Sequence, residues 1–90
     1  MIRKHWKFYG EVQGVGFRYR ASHAAEQLGI TGWVKNCWDG SVEMETEGSE
    51  ASIDRLLEII HSSRAIDITH TESEIIPLCG SKVFSIKRGY

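Results

Sequence analysis

The feature that most constrains the fold of this 90-residue chain is a repeated change in its hydrophobic period. Trp6, Phe8 and Val12 lie on one side of an alternating pattern, which is typical of a strand with one buried face. From Phe17 to Leu28 the apolar residues recur instead at spacings of three and four, as on one side of an α-helix. The chain therefore has to combine a sheet with helices.

The middle of the chain repeats this change of period. Residues 32–36 and 41–47 predict two strands, joined at Asp39-Gly40, a dipeptide typical of a tight hairpin turn. A second helix is predicted to begin near Ser49, a favourable N-cap residue, and to end near Ser62-Ser63.

The last third predicts two further strands. Ile66 and Ile68 indicate a fourth strand across about residues 65–73, and a loop with Pro77 and Gly80 separates it from a short terminal strand across residues 83–87. The order β-α-β-β-α-β with this extra strand predicts an α+β, ferredoxin-like fold, in which two helices cover one face of an antiparallel sheet. Because a chain of this length buries one modest core, residues 1–90 are expected to form a single domain.

Composition excludes several functional classes. The net charge of −1 provides no field that would collect nucleic acid or an anionic membrane. No apolar run approaches the roughly 20 residues that span a bilayer, and the basic N-terminus lacks the apolar stretch of a secretory signal. Cys37 and Cys79 are too few and too far apart for a disulfide framework or a zinc site. A cytoplasmic monomer is the default expectation, and the sequence does not decide whether the two cysteines ever pair.

The segment between the first strand and the first helix carries the clearest chemical signal. Glycines allow consecutive backbone amides to point into one concavity, and the helix start adds unsatisfied N–H groups and positive dipole. An arginine at the helix start adds a planar set of donors that matches phosphate oxygens. We therefore predict an anion site here; a glycine-rich turn that only tightens packing is the alternative. This glycine loop consists of Gln13, Gly14, Val15, Gly16, Phe17 and Arg18.

The surrounding motifs resemble those of the acylphosphatase family. The resemblance spans about residues 8–48 with firm spacing, and the run VQGVGFR is long and specific. It implies a ferredoxin-like fold and a hydrolase that cleaves the carboxyl–phosphate anhydride bond of acyl phosphates without a metal or other cofactor. The matching segments are Gly10-x-Val12-Gln13-Gly14-Val15-Gly16-Phe17-Arg18, Leu28-Gly29-Ile30-x-Gly32-Trp33-Val34-x-Asn36 and Asp39-Gly40-x-Val42-Glu43.

The resemblance also implies two catalytic residues. Arg18 would bind the phosphoryl group beside the loop amides, and Asn36 would orient the water that attacks it in line. Inorganic phosphate or sulfate is then expected to occupy the loop as well as the substrate. Taken without the resemblance, Asn36 is more simply a polar residue that ends a strand before a turn.

Three features near this site raise questions. Glu11 stands where relatives commonly have a basic residue, and its carboxylate would weaken anion binding unless strand alternation turns it away. The segment 62–64 is shorter than in relatives. Cys37 adjoins Asn36 but is expected on the opposite face of its strand, as an inert thiol.

Two other functional classes share features with this chain. RNA-recognition domains share the β-α-β-β-α-β order and stack bases on the open face of the sheet. Here that face presents Glu43, Glu45 and Glu47, which are expected to be solvated, balanced in part by Lys7, and to repel nucleic acid. The third class is a phosphate-binding module without catalysis, or a domain of a larger maturation protein.

Relatives of the maturation-protein kind continue into zinc-binding cysteine pairs, and this chain ends at Tyr90 without them. A free-standing enzyme is therefore expected. Among the tryptophans, Trp6 and Trp33 are expected in the core and Trp38 in solvent.

Overall fold

The structure is a computed structural model that describes residues 1–88. Its strands form one sheet in the order β4-β1-β3-β2-β5. The predicted α+β, ferredoxin-like arrangement is confirmed. The elements, in chain order, are β1 (Ile2–Glu11), α1 (Phe17–Leu28), β2 (Thr31–Asn36), β3 (Val42–Gly48), α2 (Glu50–His61), β4 (Asp67–Ile76) and β5 (Phe84–Ile86).

The sheet is mixed, not antiparallel throughout. The four longer strands pair antiparallel, whereas β5 runs parallel to β2. β4 and β2 run in opposite directions, so β4 ends at the side of the sheet where β2 begins. A strand that follows after a short loop and joins the edge at β2 must therefore run in the direction of β2.

The bounds of β2, β3 and β5 differ from the predicted ranges by one residue at one or both ends, and those of β1 and β4 differ by more. β1 starts at Ile2, ahead of the alternating segment, because its backbone pairs with β3 from Ile2 onward. β4 spans Asp67–Ile76, not 65–73, and nearly all its side chains are exposed. An edge strand of this kind is defined by its hydrogen bonds to β1. Side-chain hydrophobicity therefore carries no information about where it ends.

The core lies between one face of the sheet and the two helices. Small side chains of α1 (Ala21, Ala24 and Ala25) are buried and bring this helix close to the sheet. The helix ends at Gly29, whose left-handed backbone directs its N–H to the carbonyls of residues 25 and 26. Ser49 caps α2 as predicted, since its Oγ accepts from the Ser52 amide at 3.1 Å. The largest fully buried side chains of this core include Phe8, Phe17, Ile30, Met44, Ile53, Leu56 and Ile60.

The opposite face of the sheet carries a buried ion cluster. The Arg3 guanidinium, only 4 % exposed, bridges Glu45 at 2.8 Å and Glu47 at 3.1 Å. Glu47 also accepts from the amides of Cys79 and Gly80, and these bonds, that of Cys79 foremost, hold the pKa of its carboxyl below the usual range. The cluster thus fastens the loop before β5 to the centre of the sheet.

The expectation of a solvated acidic row balanced by Lys7 is wrong. Glu47 is 6 % exposed and bonded as above, and Glu43 pairs with His5 at 2.6 Å and with Lys35 at 3.6 Å. Lys7 pairs instead with Asp39. Strand pairing brings basic residues of β1 and β2 beside these glutamates, so the row is largely neutralised within the sheet.

The tryptophans divide between the two faces. Trp6 is in the core as expected, at 8 % exposure, and Trp38 is exposed. The prediction for Trp33 is wrong: its register partner is Glu45, so it lies on the face away from the helices. There the ammonium of Lys87 lies 4.5 Å from the centroid of its ring. Within residues 1–88, neither helix is long and apolar enough to cross a membrane, and Cys37 and Cys79 are both free thiols.

Gly10 offers a stability test of the strand that leads to the glycine loop. Its φ is +125°, and a Cβ there would collide with the Asp67 carbonyl oxygen across the bulge between β1 and β4. Gly40 has φ +88° but open space around it. We expect Gly40→Ala to lower the free energy of unfolding by about 1–2 kcal/mol from the backbone alone, and Gly10→Ala to lower it further. Urea unfolding measures both; equal losses would show that the collision is relieved without cost.

Candidate functional site

The glycine loop owes its shape to two residues in the left-handed region. Gly14 has φ +73° and Gly16 φ +80°. Gly16 is also the N-cap of α1, and no side chain caps this end. The first backbone bond of the helix runs from the Arg20 amide to the Gly16 carbonyl at 3.0 Å. The amides of residues 17–19 precede that bond and are not used by the helix, so they can donate to an anion.

A cleft of about 310 Å³ lies beside this helix end. The loop contributes Gly14, Gly16, Phe17 and Arg18 to its walls, and the end of β2 contributes Asn36. Both predicted catalytic side chains therefore line one cleft, although they belong to different elements. The arrangement follows from the fold, because β1 and β2 run parallel and α1 starts at the end of the sheet where β2 finishes.

Phe17 fixes the loop to the core. It is 2 % exposed, and its ring packs against that of Phe8 at a centroid distance of 5.1 Å. Its neighbour Arg18 is partly exposed and is the charged side chain among the residues that line the cleft. The buried ring of Phe17 thus anchors the helical turn that carries Arg18.

Two loop residues predicted to hold phosphate do not line this cleft. Val15 faces a second cleft of about 490 Å³ between α1 and α2. The side chain of Gln13 extends toward the β2–β3 hairpin, where its Nε2 donates to the carbonyl oxygens of Cys37 at 2.8 Å and Ser41 at 2.9 Å. Their assignment as substrate ligands stays a prediction.

The hairpin turn after Asn36 is held by a carboxylate. Asp39 accepts from both the backbone amide and the hydroxyl of Ser41, and lies 3.4 Å from the Lys7 ammonium. These contacts, the Ser41 hydroxyl foremost, lower the pKa of Asp39 from 3.8 to about 2. Ser41 is itself buried, and its carbonyl accepts from the Cys37 amide at 2.9 Å.

This turn should make stability depend on pH in the acid range. Because the folded pKa of Asp39 is about 2 and its ordinary value is 3.8, its stabilising effect is complete above pH 4 and disappears as the pH falls through 2. Asp39→Asn removes this contribution. We expect the difference in unfolding free energy between wild type and Asp39→Asn to shrink from pH 5 to pH 2, as measured by urea unfolding at each pH. A difference that does not change with pH would show that these contacts do not lower the pKa of the Asp39 carboxyl.

The residues that raised questions lie outside the cleft. Glu11 is exposed, pairs with Asp67 in the ladder between β1 and β4, and does not line the cleft. The Cys37 thiol lies 3.7 Å from a carboxylate oxygen of Glu43, on the face of the sheet away from the helices. This is the face expected from strand alternation.

Sequence reasoning missed two residues that line the cleft. Val12 forms part of its floor, and Tyr19, 76 % exposed, stands at its edge. Tyr19 directly follows Arg18 on the first turn of α1, but nothing in its pattern distinguished it from a surface residue. Within residues 1–88, no three or more His, Cys, Asp or Glu side chains are grouped to hold a metal ion. The cleft instead offers amide and guanidinium donors, which suit an oxyanion.

Comparison with known proteins gives a consistent result. The sequence model of the acylphosphatase family matches residues 4–86. An acylphosphatase of Bifidobacterium longum is 42 % identical over 79 residues, which cover 87 % of this chain and 81 % of the relative. One from Yersinia pseudotuberculosis is 43 % identical over 81 residues, 88 % of either chain. The crystal structure of acylphosphatase from Bacillus subtilis is 35 % identical, with a TM-score of 0.89 over 97 % of this chain and 99 % of that one.

Proposed function

Since the chain belongs to the acylphosphatase family, we propose that it hydrolyses acyl phosphates at the cleft beside the glycine loop, with Arg18 and Asn36 as its catalytic residues. The enzyme class follows from the family. The observation that supports the site is that both side chains line one cleft at an uncapped helix N-terminus.

The phosphoryl group binds at the start of α1. Amides of the glycine loop and of the first turn donate to its oxygens, and the helix dipole favours their negative charge. The Arg18 guanidinium donates to two of the oxygens and neutralises the charge that they carry in the transition state. Among residues 1–88, those that line the cleft include no acidic side chain, so none of these residues places a carboxylate against the anion.

Asn36 orients the water molecule that acts as the nucleophile. Its side-chain carbonyl accepts a hydrogen bond from a water molecule and so aims an oxygen lone pair at phosphorus, opposite the leaving group. An amide is not a base at neutral pH, so a phosphoryl oxygen takes the proton that the water loses. The reaction then depends on positioning and on charge neutralisation.

The bond changes balance without a cofactor. A bond forms between the water oxygen and phosphorus, and the bond between phosphorus and the carboxyl oxygen breaks with its electron pair on the carboxylate. The products are a carboxylate and inorganic phosphate. A carboxylate is a weak base and leaves without protonation, so no general acid is needed.

Hydrolysis of benzoyl phosphate in the presence of a chelator tests the proposal. We expect turnover that is unaffected by EDTA and inhibited competitively by inorganic phosphate, which should occupy the same loop. Loss of turnover on chelation would overturn the metal-independent mechanism. Phosphate inhibition that is not competitive would place the anion outside the substrate site.

A further inference from the structure

One side chain joins the glycine loop to the strand that carries Asn36. The Nε2 group of Gln13 donates to the carbonyl oxygens of Cys37 and Ser41, at 2.8 and 2.9 Å. Both neighbours are acceptors, so only the NH₂ end of the amide can face them. Cys37 follows Asn36 directly, and Gln13 precedes Gly14 of the cleft wall. The contact is therefore a direct bridge between the two halves of the site.

The acceptors belong to a turn that has its own network of hydrogen bonds. The Cys37 carbonyl also accepts from the Gly40 amide at 3.2 Å, and the Ser41 carbonyl from the Cys37 amide at 2.9 Å. Asp39 holds Ser41 through its amide and hydroxyl. Gln13 thus binds the loop to a turn that is already held by its own hydrogen bonds, and a shift of Gln13 relative to this turn strains two partly buried hydrogen bonds.

We propose that Gln13 is a positioning residue, which sets the distance and angle between the phosphoryl group in the loop and the water on Asn36. The inference rests on the proposed function. It assigns the side chain of Gln13 to the water-attack step and not to phosphate binding, which remains with the loop amides and Arg18. An in-line displacement is sensitive to this geometry, since a 1 Å misplacement costs on the order of 100-fold in rate.

Gln13→Met, which keeps the length of the side chain but removes both donors, tests the proposal. We expect kcat for benzoyl phosphate to fall by about 10- to 100-fold, while the inhibition constant of inorganic phosphate changes by less than about threefold because the anion ligands remain. Gln27→Met is the matched control: Gln27 is exposed on α1 and does not line the catalytic cleft. It should leave both constants unchanged. Urea unfolding of each variant confirms that it is folded at the assay temperature.

Gln13→Glu gives a second readout, which does not depend on the first variant. Ionised, the new carboxylate faces two carbonyl oxygens without a proton to donate; protonated, it can donate one hydrogen bond. The ratio of its kcat to that of wild type should therefore rise as the pH is lowered. A ratio that is flat with pH would contradict a donor role.

The results separate the bridge from the proposed function. An unchanged kcat in Gln13→Met, or equal losses in kcat and phosphate affinity, would overturn the positioning role. Phosphate binding without turnover in wild type would overturn the proposed function instead. In that case the side-chain amide NMR signal of Asn36 in the phosphate complex still tests whether Gln13 positions the loop relative to Asn36. It should shift in Gln13→Met and not in Gln27→Met; identical signals would overturn the inference.

Discussion

Replacing Arg18 by alanine is expected to lower kcat/KM for acyl phosphate hydrolysis by about 1,000-fold or more, which corresponds to about 4 kcal/mol of transition-state stabilisation. The reason is that Arg18 is the charged side chain that lines the cleft, and phosphoryl transfer depends on neutralising the oxygens. Steady-state kinetics with benzoyl phosphate measure the effect. The inhibition constant of inorganic phosphate should rise in the same variant, because the ground-state anion uses the same guanidinium.

Two further variants define what the arginine contributes. Arg18→Lys keeps the charge but loses the planar pair of donors, so we expect it to recover only part of the activity. Arg20→Ala is the matched control. Arg20 is exposed and lines the other cleft, between α1 and α2, where it reaches the Ile59 carbonyl at 3.5 Å. Near-wild-type activity in Arg18→Ala, or an equal loss in Arg20→Ala, would contradict the assignment.

Replacing Asn36 by alanine is expected to give a different kinetic pattern. The kcat should fall by about 100- to 1,000-fold, as for removal of other oriented polar groups in active sites, whereas inhibition by inorganic phosphate should change little. Asn36 acts on the water and not on the bound phosphoryl group, so its loss affects the transition state more than the ground state. Rate measurements at saturating benzoyl phosphate, together with phosphate inhibition, separate these effects.

Asn36→Asp and a neighbouring control complete this test. An aspartate keeps the shape of the side chain but places a negative charge beside the substrate, so we expect weaker binding of both benzoyl phosphate and inorganic phosphate. Lys35→Met changes the preceding residue, whose side chain lies on the other face of β2 near Trp33. It should leave kcat unchanged. Full activity in Asn36→Ala would rule out the water-orienting role.

The two substitutions are informative together because they act on different steps. Loss of Arg18 weakens both the bound anion and the transition state, and loss of Asn36 mainly slows the attack. If both variants instead raised KM without changing kcat, the cleft would be a binding site whose chemistry lies elsewhere. The contrast in phosphate inhibition therefore tests the division of roles that the geometry supports.

Local patterns in the sequence predicted a large part of the fold. Each helix was recognisable because its apolar spacing and its cap agree: Gly29 ends α1 and Ser49 starts α2 in the structure, as predicted. The strands that contribute to the core were recognisable because their apolar side chains alternate with polar ones. β4 was placed two to three residues too early, because an exposed edge strand is specified by its pairing with β1 and not by burial of its own side chains.

The face of the sheet opposite the helices was the least predictable region. Alternation places Glu43, Glu45 and Glu47 on one face, but it does not reveal which cations lie beside them. That depends on the register between β1 and β3, which sets Arg3 opposite Glu47 and brings His5 within 2.6 Å of Glu43. Trp33 was misplaced for a related reason, since a large aromatic residue in a strand can pack on either face.

The sequence by itself determined that residues 13–18 form a glycine loop before a helix, because left-handed glycines and a helix start are local properties of consecutive residues. Its motifs, which resemble those of a known family, also predicted Arg18 and Asn36 as catalytic residues. Only the tertiary structure decided that these two side chains share a cleft, that Val15 faces away from it, and that Gln13 bridges the loop to the turn after Asn36. These are contacts between residues far apart in the chain, and they exist only once β1, α1 and β2 have packed together.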